Sequence, residues 1–366
     1  CIYGGNTIKI RNKDISFIVH PSFIGEPSYK SKELINEIIN LTENLNIDVY
    51  SKRIAKIRKV NAATMLGKGI IGEILRHVTS KKINLLIVNA VLSPRQQKNL
   101  EDKLKIKVID RTGVIIEIFS KRAKSKEGKL QVELAELIYR KSRLVRAWTH
   151  LERQRGGTTF IGGPGELQIE LDRRLIQEKI IRIQRNLKKV RNRRSQQRKL
   201  RRKSNFKTFA LVGYTNAGKS QLFNYLTKKN QSSRNVMFET LDTKTGRVYL
   251  GKNNYIGVID TVGFINNIPT QLIESFKATL EELIYADVLI NVIDISDIDY
   301  KNKEKVTIEI LKMANINETK IKDMITVYNK VDLSPYRSYS KRNNFISAYT
   351  GYGIENFKNK LMNYKI

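Results

Sequence analysis

The first clear pattern of apolar and polar positions is the run INLLIVN over residues 83–89, followed by the mixed stretch SPRQQKNLEDKL over 93–104 and then KVIDR over 107–111. Short apolar runs separated by helical lengths predict parallel strands joined by crossover helices, so residues 1–125 read as a small parallel α/β domain. Then the period changes. Leu130, Leu134, Leu137, Leu144, Trp148 and Leu151 recur at heptad spacing, with Lys141 at the missing step, which predicts a long helix with one apolar seam and Trp148 packed within it. Ile176, Ile180, Ile183, Leu187 and Val190 form a second seam. Between the two lies RQRGGTTFIGGPGE, residues 153–166, too rich in Gly and Pro to continue either helix. An antiparallel helical hairpin over 126–204 is expected.

From Asn205 the alternation of strands and helices returns. GRVYLGKNNYIGVID (246–260) reads as two strands around a KNN turn; a helix over 270–285, a strand over 288–293, a helix, strands over 325–328 and 345–347 and a last helix follow. Residues 205–366 are therefore expected to form a doubly wound α/β domain with a mixed, mostly parallel sheet and one antiparallel edge strand, closing the chain. Three domains suit a length of 366 residues.

Charge adds a partner to this picture. The chain carries 68 Lys plus Arg against 35 Asp plus Glu, a formal net charge of +33, which calls for a polyanion. A general lysine bias inflates that total, so location is the better guide. Between Arg182 and Lys203 stand twelve basic residues and no acidic one. The single cysteine, Cys1, excludes an intrachain disulfide and fits a reducing cytoplasm. His20, His77 and His150 are too scattered for metal-ligand spacing. Apolar runs such as Leu85 to Val88 fall far short of the roughly 20 residues that cross a bilayer. A cytoplasmic monomer without a transmembrane segment is expected, and a first residue other than Met suggests a fragment or trimmed chain.

The chemistry is concentrated in the last domain. GYTNAGKS (213–220) follows the strand-like Phe209 to Val212 and precedes a helix from Gln221 to Leu226. Gly213 and Gly218 let the backbone from Tyr214 through Thr215, Asn216 and Ala217 curl its N–H groups toward phosphate oxygens; Lys219 reaches the β- and γ-phosphates and Ser220 ligates Mg²⁺. DTVG supplies Asp260, Thr261, Val262 and Gly263: the Asp suits Mg²⁺ held through water and the Gly N–H senses a γ-phosphate. NKVD supplies Asn329, Lys330 and Asp332. Asp332 can accept from guanine N1–H and its exocyclic amine while Asn329 faces the other edge, and adenine would leave the carboxylate unpaired. SAY follows another short strand, so Ser347 and Ala348 are placed to offer a backbone N–H to the guanine oxygen. Four such segments in order, each at a strand's end, point to GTP.

GYTNAGKS, FETLD (238–242), DTVGF (260–264) and NKVD, with LSPRQQKNLE (92–101), LERQRGG (151–157) and GGPGELQIELDRR (162–174), resemble the HflX family of bacterial GTPases over essentially the whole chain. The resemblance implies a Ras-like domain that hydrolyses GTP to GDP with Mg²⁺. It also implies attachment to the large (50S) ribosomal subunit, with the basic hairpin on ribosomal RNA, and a role in ribosome splitting, rescue or assembly. Phe238, Glu239, Thr240, Leu241 and Asp242 would form the nucleotide-facing switch. Thr240 would join Ser220 on Mg²⁺, and Lys219, Thr240 and Gly263 would carry catalysis. Spacing alone leaves Thr243 and Thr245 open for that role. Where the family usually has Thr, this chain has Leu167 and Leu171.

Phe264 bears on mechanism, because Ras-like enzymes place there a Gln that orients the attacking water. A phenyl ring cannot do so. Hydrolysis then waits on a partner, or on backbone groups and a monovalent cation, and the ring packs against the switch. Two other functions compete. An RNA-remodelling ATPase would use LGKG (66–69) as a second nucleotide loop, although it lacks phosphate-loop spacing. A membrane-surface regulator would use the basic helix, but its seam is already committed to the hairpin.

Overall fold

The computed structural model describes residues 14–80, 82–148, 164–203, 207–228, 237–238, 240–251, 254–266, 269, 272, 277–334, 344–362 and 364, with side chains for all of these except 145–148, 164–169, 194–195, 197–203 and 277–279. Glu239, the side chain of Trp148 and the Gly-rich stretch before Pro164 lie outside that set. The chain forms two compact units, one of residues 1–121 and 132–184, the other of 122–131 and 185–366.

In the first unit β1 (Ile15–Phe23), α1 (Ser28–Glu43), β2 (Asp48–Ile57), α2 (Lys68–Thr79), β3 (Leu85–Val88), α3 (Pro94–Leu104), β4 (Lys107–Asp110) and α4 (Arg111–Arg122) alternate. The strands stand in the order β2-β1-β3-β4, all parallel. Strands covered on both faces need continuous apolar runs, and Leu85, Leu86, Ile87 and Val88 are all fully buried. Ser93 caps α3 through the N–H of Gln96, whose side chain answers to the N–H of Ser93, with Pro94 in the first turn. At the LGKG segment, Gly67, Lys68 and Gly69 are exposed and lead straight into α2.

The hairpin helices are α5 (Lys126–Trp148) and α6 (Pro164–Lys203). Lys141 Nζ donates to Gln177 Oε1 at 2.6 Å, and Leu134, Leu137, Ile180, Ile183 and Leu187 are buried. The single seam expected of α5 is too narrow: Gln131, Val132, Ala135 and Tyr139 are buried as well. A second neighbour explains this, because Tyr139 Oη and Arg143 both donate to the Asp110 carboxylate at the end of β4, each at 2.8 Å. On α6 the face away from the buried isoleucines carries exposed Arg182, Arg185, Lys188, Lys189 and Arg193.

In the second unit β5 (Thr208–Val212), α7 (Lys219–Thr227), β6 (Lys244–Gly251), β7 (Asn254–Asp260), α8 (Lys277–Tyr285), β8 (Val288–Asp294), α9 (Tyr300–Met313), α10 (Glu318–Lys322), β9 (Ile325–Asn329), β10 (Asn344–Phe345) and α11 (Ile354–Met362) form a six-stranded sheet of order β10-β9-β8-β5-β7-β6. Only β6 runs antiparallel, against β7. Apolar side chains alternate between two cores: Phe209, Leu211, Leu222, Phe223 and Phe357 on one face, Ala210, Val212, Leu283, Leu289 and Leu311 on the other. The strand expected at 345–347 is shorter and earlier: Ile346 N still donates to Tyr328 O, but Ser347 N turns to Tyr352 O and Ala348 N to the Asn329 side chain. Of the helix expected over 270–285, α8 describes the last part. Among the described residues no helix is long and apolar enough to cross a membrane.

Candidate nucleotide site

Strand β5 is flanked by β7 and β8, so chain direction switches sides there, and a crevice opens at the carboxyl ends of the strands. Residues 213–218 turn at this edge. Gly213 has φ +140° and an added Cβ would lie 2.3 Å from Val292 O; Gly218 has φ +88° and its Cβ would lie 2.2 Å from Asn329 Nδ2. Both glycines are required by conformation and by space. Lys219 opens α7, buried, with Nζ 2.7 Å from Tyr214 O and 3.1 Å from Gly213 O.

Three oxygen donors converge beside it. Ser220 Oγ lies 2.8 Å from Thr240 Oγ1, and Thr240 Oγ1 donates to Asp260 Oδ2 at 2.8 Å. Asp260 is fully buried, and among the described residues its Oδ1 has no hydrogen-bond partner. Burial pushes this carboxyl above its ordinary range, against the opposing pull of Thr240, Ser220, Lys219 and Lys244. A buried carboxylate with one oxygen unused, next to two hydroxyls, is the donor chemistry that suits a small hard cation. Spacing had left three threonines open, and the geometry separates them: Thr240 is buried in this cluster, whereas Thr245 is exposed on β6 and Thr243 is half-buried between them.

The DTVG segment folds directly onto the phosphate loop. Thr261 Oγ1 donates to Leu211 O at 2.6 Å, Val262 is half-buried, and an added Cβ on Gly263 would meet Thr215 Cα at 2.8 Å and Lys219 Nζ at 3.0 Å. Phe264 N donates to Gly213 O at 3.1 Å, and Thr215 N donates to Phe264 O at 2.7 Å. The Phe264 ring is buried among Ala210, Val212, Ile259, Leu283 and Leu289. It anchors the switch from below.

The two loops expected to read the base are bonded to each other. Asn329 is fully buried, its Nδ2 donating to Ala217 O and its Oδ1 accepting from Ala348 N, each at 2.9 Å. Its amide therefore ties the phosphate loop to the SAY loop, with the second hydrogen of Nδ2 left over from the bond to Ala217. Ser347 Oγ accepts from Thr350 N at 3.0 Å, which shapes that turn. Asp332 is exposed, and Lys330, at φ +66°, pairs with Asp294 at 2.6 Å. In the 238–242 segment Phe238 and Leu241 are buried, but Asp242 turns away from Ser220 and Asp260 and binds Lys124 and Ser125. No sequence pattern marks that contact, since it joins residues more than a hundred apart.

Residues 32–120 match the family model for a GTP-binding GTPase N-terminal region, 122–201 that for the GTP-binding GTPase middle region, and 208–330 that for a 50S ribosome-binding GTPase. GTPase HflX of Magnetococcus marinus is 43% identical over 330 residues, covering 88% of this chain and 76% of that protein. The chain belongs to the HflX family of GTPases. GTPase HflX of Caldanaerobacter subterraneus is 40% identical over 348 residues (94% and 79% covered), and that of Escherichia coli 37% over 333 (89% and 77%). A GTP-binding protein from Sulfolobus solfataricus solved with GDP is 24% identical over 95% of this chain and 97% of that one, with a TM-score of 0.47. As an HflX-family member the chain binds GTP and hydrolyses it to GDP.

Proposed function

We propose that this GTPase is a Mg²⁺-dependent switch that attaches to the large ribosomal subunit through the basic face of α6 and acts in ribosome splitting, rescue or assembly. Ser220 and Thr240 would hold the cation directly and Asp260 through water, while Lys219 and the N–H of Gly263 would meet the β- and γ-phosphates. In the same reading the chain divides at about 125 and 204 into an N-terminal domain, a hairpin and a GTPase domain, and works as a cytoplasmic monomer. One observation carries the ribosomal part: Arg182, Arg185, Lys188, Lys189 and Arg193 are exposed along a helix whose opposite face is buried. Such a stripe suits a phosphate backbone, and the match of residues 208–330 to a family described as 50S ribosome-binding GTPase supports the large subunit as the source of that polyanion.

Sedimentation with separated ribosomal subunits, in GDP and in a non-hydrolysable GTP analogue, tests this reading. Preferential binding to the large subunit with the analogue is expected. Replacing Arg182, Arg185, Lys188 and Lys189 by Ala should weaken binding and flatten its salt dependence by about 0.7 to 0.9 in log–log slope per lost phosphate contact. An unchanged slope would show that this face does not meet RNA.

A further inference from the structure

We propose that Asp242 is a positioning residue that ties the conformation of the Thr240 segment to the first turn of α5, so that the nucleotide state is read out at residues 124–128. The proposal rests on the reading of Thr240 as the Mg²⁺-linked switch residue.

The contact is built from three donors. Asp242 Oδ2 accepts from Lys124 N at 3.0 Å and from Ser125 N at 2.8 Å, and Oδ1 accepts from Ser125 Oγ. Ser125 is itself the cap of α5: its Oγ accepts from Gly128 N at 2.8 Å and its carbonyl from Lys129 N at 3.0 Å. A relay therefore runs from the Gly128 N–H through the serine hydroxyl to the carboxylate. The negative charge also sits where the helix dipole favours it. Residues 122–131 and the switch segment belong to the same compact unit.

Gly128 supports this assignment independently. Glycine in a first turn weakens a helix relative to alanine, but a Cβ here would lie 2.3 Å from Asp242 Oδ1 and 3.2 Å from its Cγ. The helix start is shaped to admit the carboxylate. At the other end Asp242 stands two residues after Thr240, which is held by Ser220 and Asp260, and two before Lys244, which pairs in register with Asp260. Two residues of chain span at most about 7 Å. A backbone shift of Thr240 is therefore passed through this short tether to the carboxylate that Lys124 and Ser125 hold. The helix that receives this displacement continues without a break to Trp148.

Hydrogen exchange of the full chain, loaded with GDP or with a non-hydrolysable GTP analogue and Mg²⁺, tests the link. Exchange of the peptide covering 122–131 should differ by about tenfold between the two states, equivalent to a modest difference in local opening. Gly128→Ala and Ser125→Ala should each abolish that difference while the chain stays folded and hydrolyses GTP, and Ser125→Thr, which keeps the hydroxyl, should retain it. A capping role without coupling would change protection equally in both states, and that result overturns the proposal. So does a state-dependent change over residues 237–244 with none over 122–131, which would leave the Thr240 reading intact. No state dependence at 237–244 would remove the Thr240 reading and the link together.

Discussion

Removing the Thr240 hydroxyl should separate GTP chemistry from nucleotide binding. The side chain is buried, donates to Asp260 Oδ2 at 2.8 Å and lies 2.8 Å from Ser220 Oγ. A hydrogen bond to a charged group is worth about 1.5–3 kcal/mol, or roughly 10- to 150-fold in an equilibrium or rate. Thr240→Val keeps the shape and deletes the donor, so GTP hydrolysis should fall by about that factor while GDP affinity changes little, because in the proposed reading it is the γ-phosphate state that would draw Thr240 onto the cation. Thr240→Ser should recover most of the loss. Thr243→Val and Thr245→Val are the internal controls and should stay within about twofold, being outside the buried cluster. Single-turnover hydrolysis and fluorescent-nucleotide titrations give both numbers. Normal hydrolysis by Thr240→Val, or an equal loss in Thr243→Val, would refute the assignment.

Asp332→Asn should shift preference from GTP toward xanthosine triphosphate, with roughly 10- to 100-fold lower GTP affinity for one lost charged acceptor; retained guanine selectivity in a competition assay would exclude this loop. Phe264→Gln should not speed hydrolysis and should cost about 3 kcal/mol or more of stability, since the ring lies in the core; faster turnover would show that position 264 reaches the water. Asn291 is fully buried in β8, and among the described residues neither amide atom has a partner, so Asn291→Leu should stabilise the GTPase unit by about 1–3 kcal/mol in urea melts, and a loss would mean the amide is satisfied. Burial holds the pKa of His20 below its ordinary 6.5, outweighing the upward pull of Glu26, with Arg111 acting in the lowering direction. The unfolded chain therefore binds a proton that the folded one refuses, so stability should be level above about pH 6.5 and fall as pH drops below it. The wild-type minus His20→Gln difference in urea midpoint should carry that slope, and the opposite sign would mean the Glu26 pair wins.

Much of the fold was legible because periodicity reports burial. The runs at 83–89 and 107–111 and the two strands flanking KNN became β3, β4 and the β6–β7 pair, and the second seam appeared where Ile180, Ile183 and Leu187 are buried. What periodicity missed are faces that pack by polar contact. Tyr139 and Arg143 do not look like a seam, yet both bind Asp110. The phosphate loop was legible because its glycines and lysine answer a fixed steric and electrostatic demand. Loop-to-loop bonds were not: Asn329 looks the same in sequence whether it faces a base or ties Ala217 to Ala348, and Asp242 looks like one more switch residue until Ser125 is beside it.

The same bonds explain how a Phe can stand where related GTPases use a catalytic glutamine. Phe264 is joined to Gly213 and Thr215 through its backbone, and Gly263 lies against Thr215 and Lys219, so the switch glycine is held at the phosphate loop by main-chain bonds and a buried ring. The Phe264 ring itself lies in the core. In the proposed reading the groups that would meet a γ-phosphate are Lys219, the Gly263 N–H and the Thr240 hydroxyl, which would orient charge and are not themselves general bases suited to neutral water. A site so composed is expected to hydrolyse GTP slowly until something moves the loops. Asp242, fastened to Ser125 on one side and two residues from Thr240 on the other, is where a force applied to α5 would reach them, and by linkage whatever binds better to the GTP state must in turn favour that state.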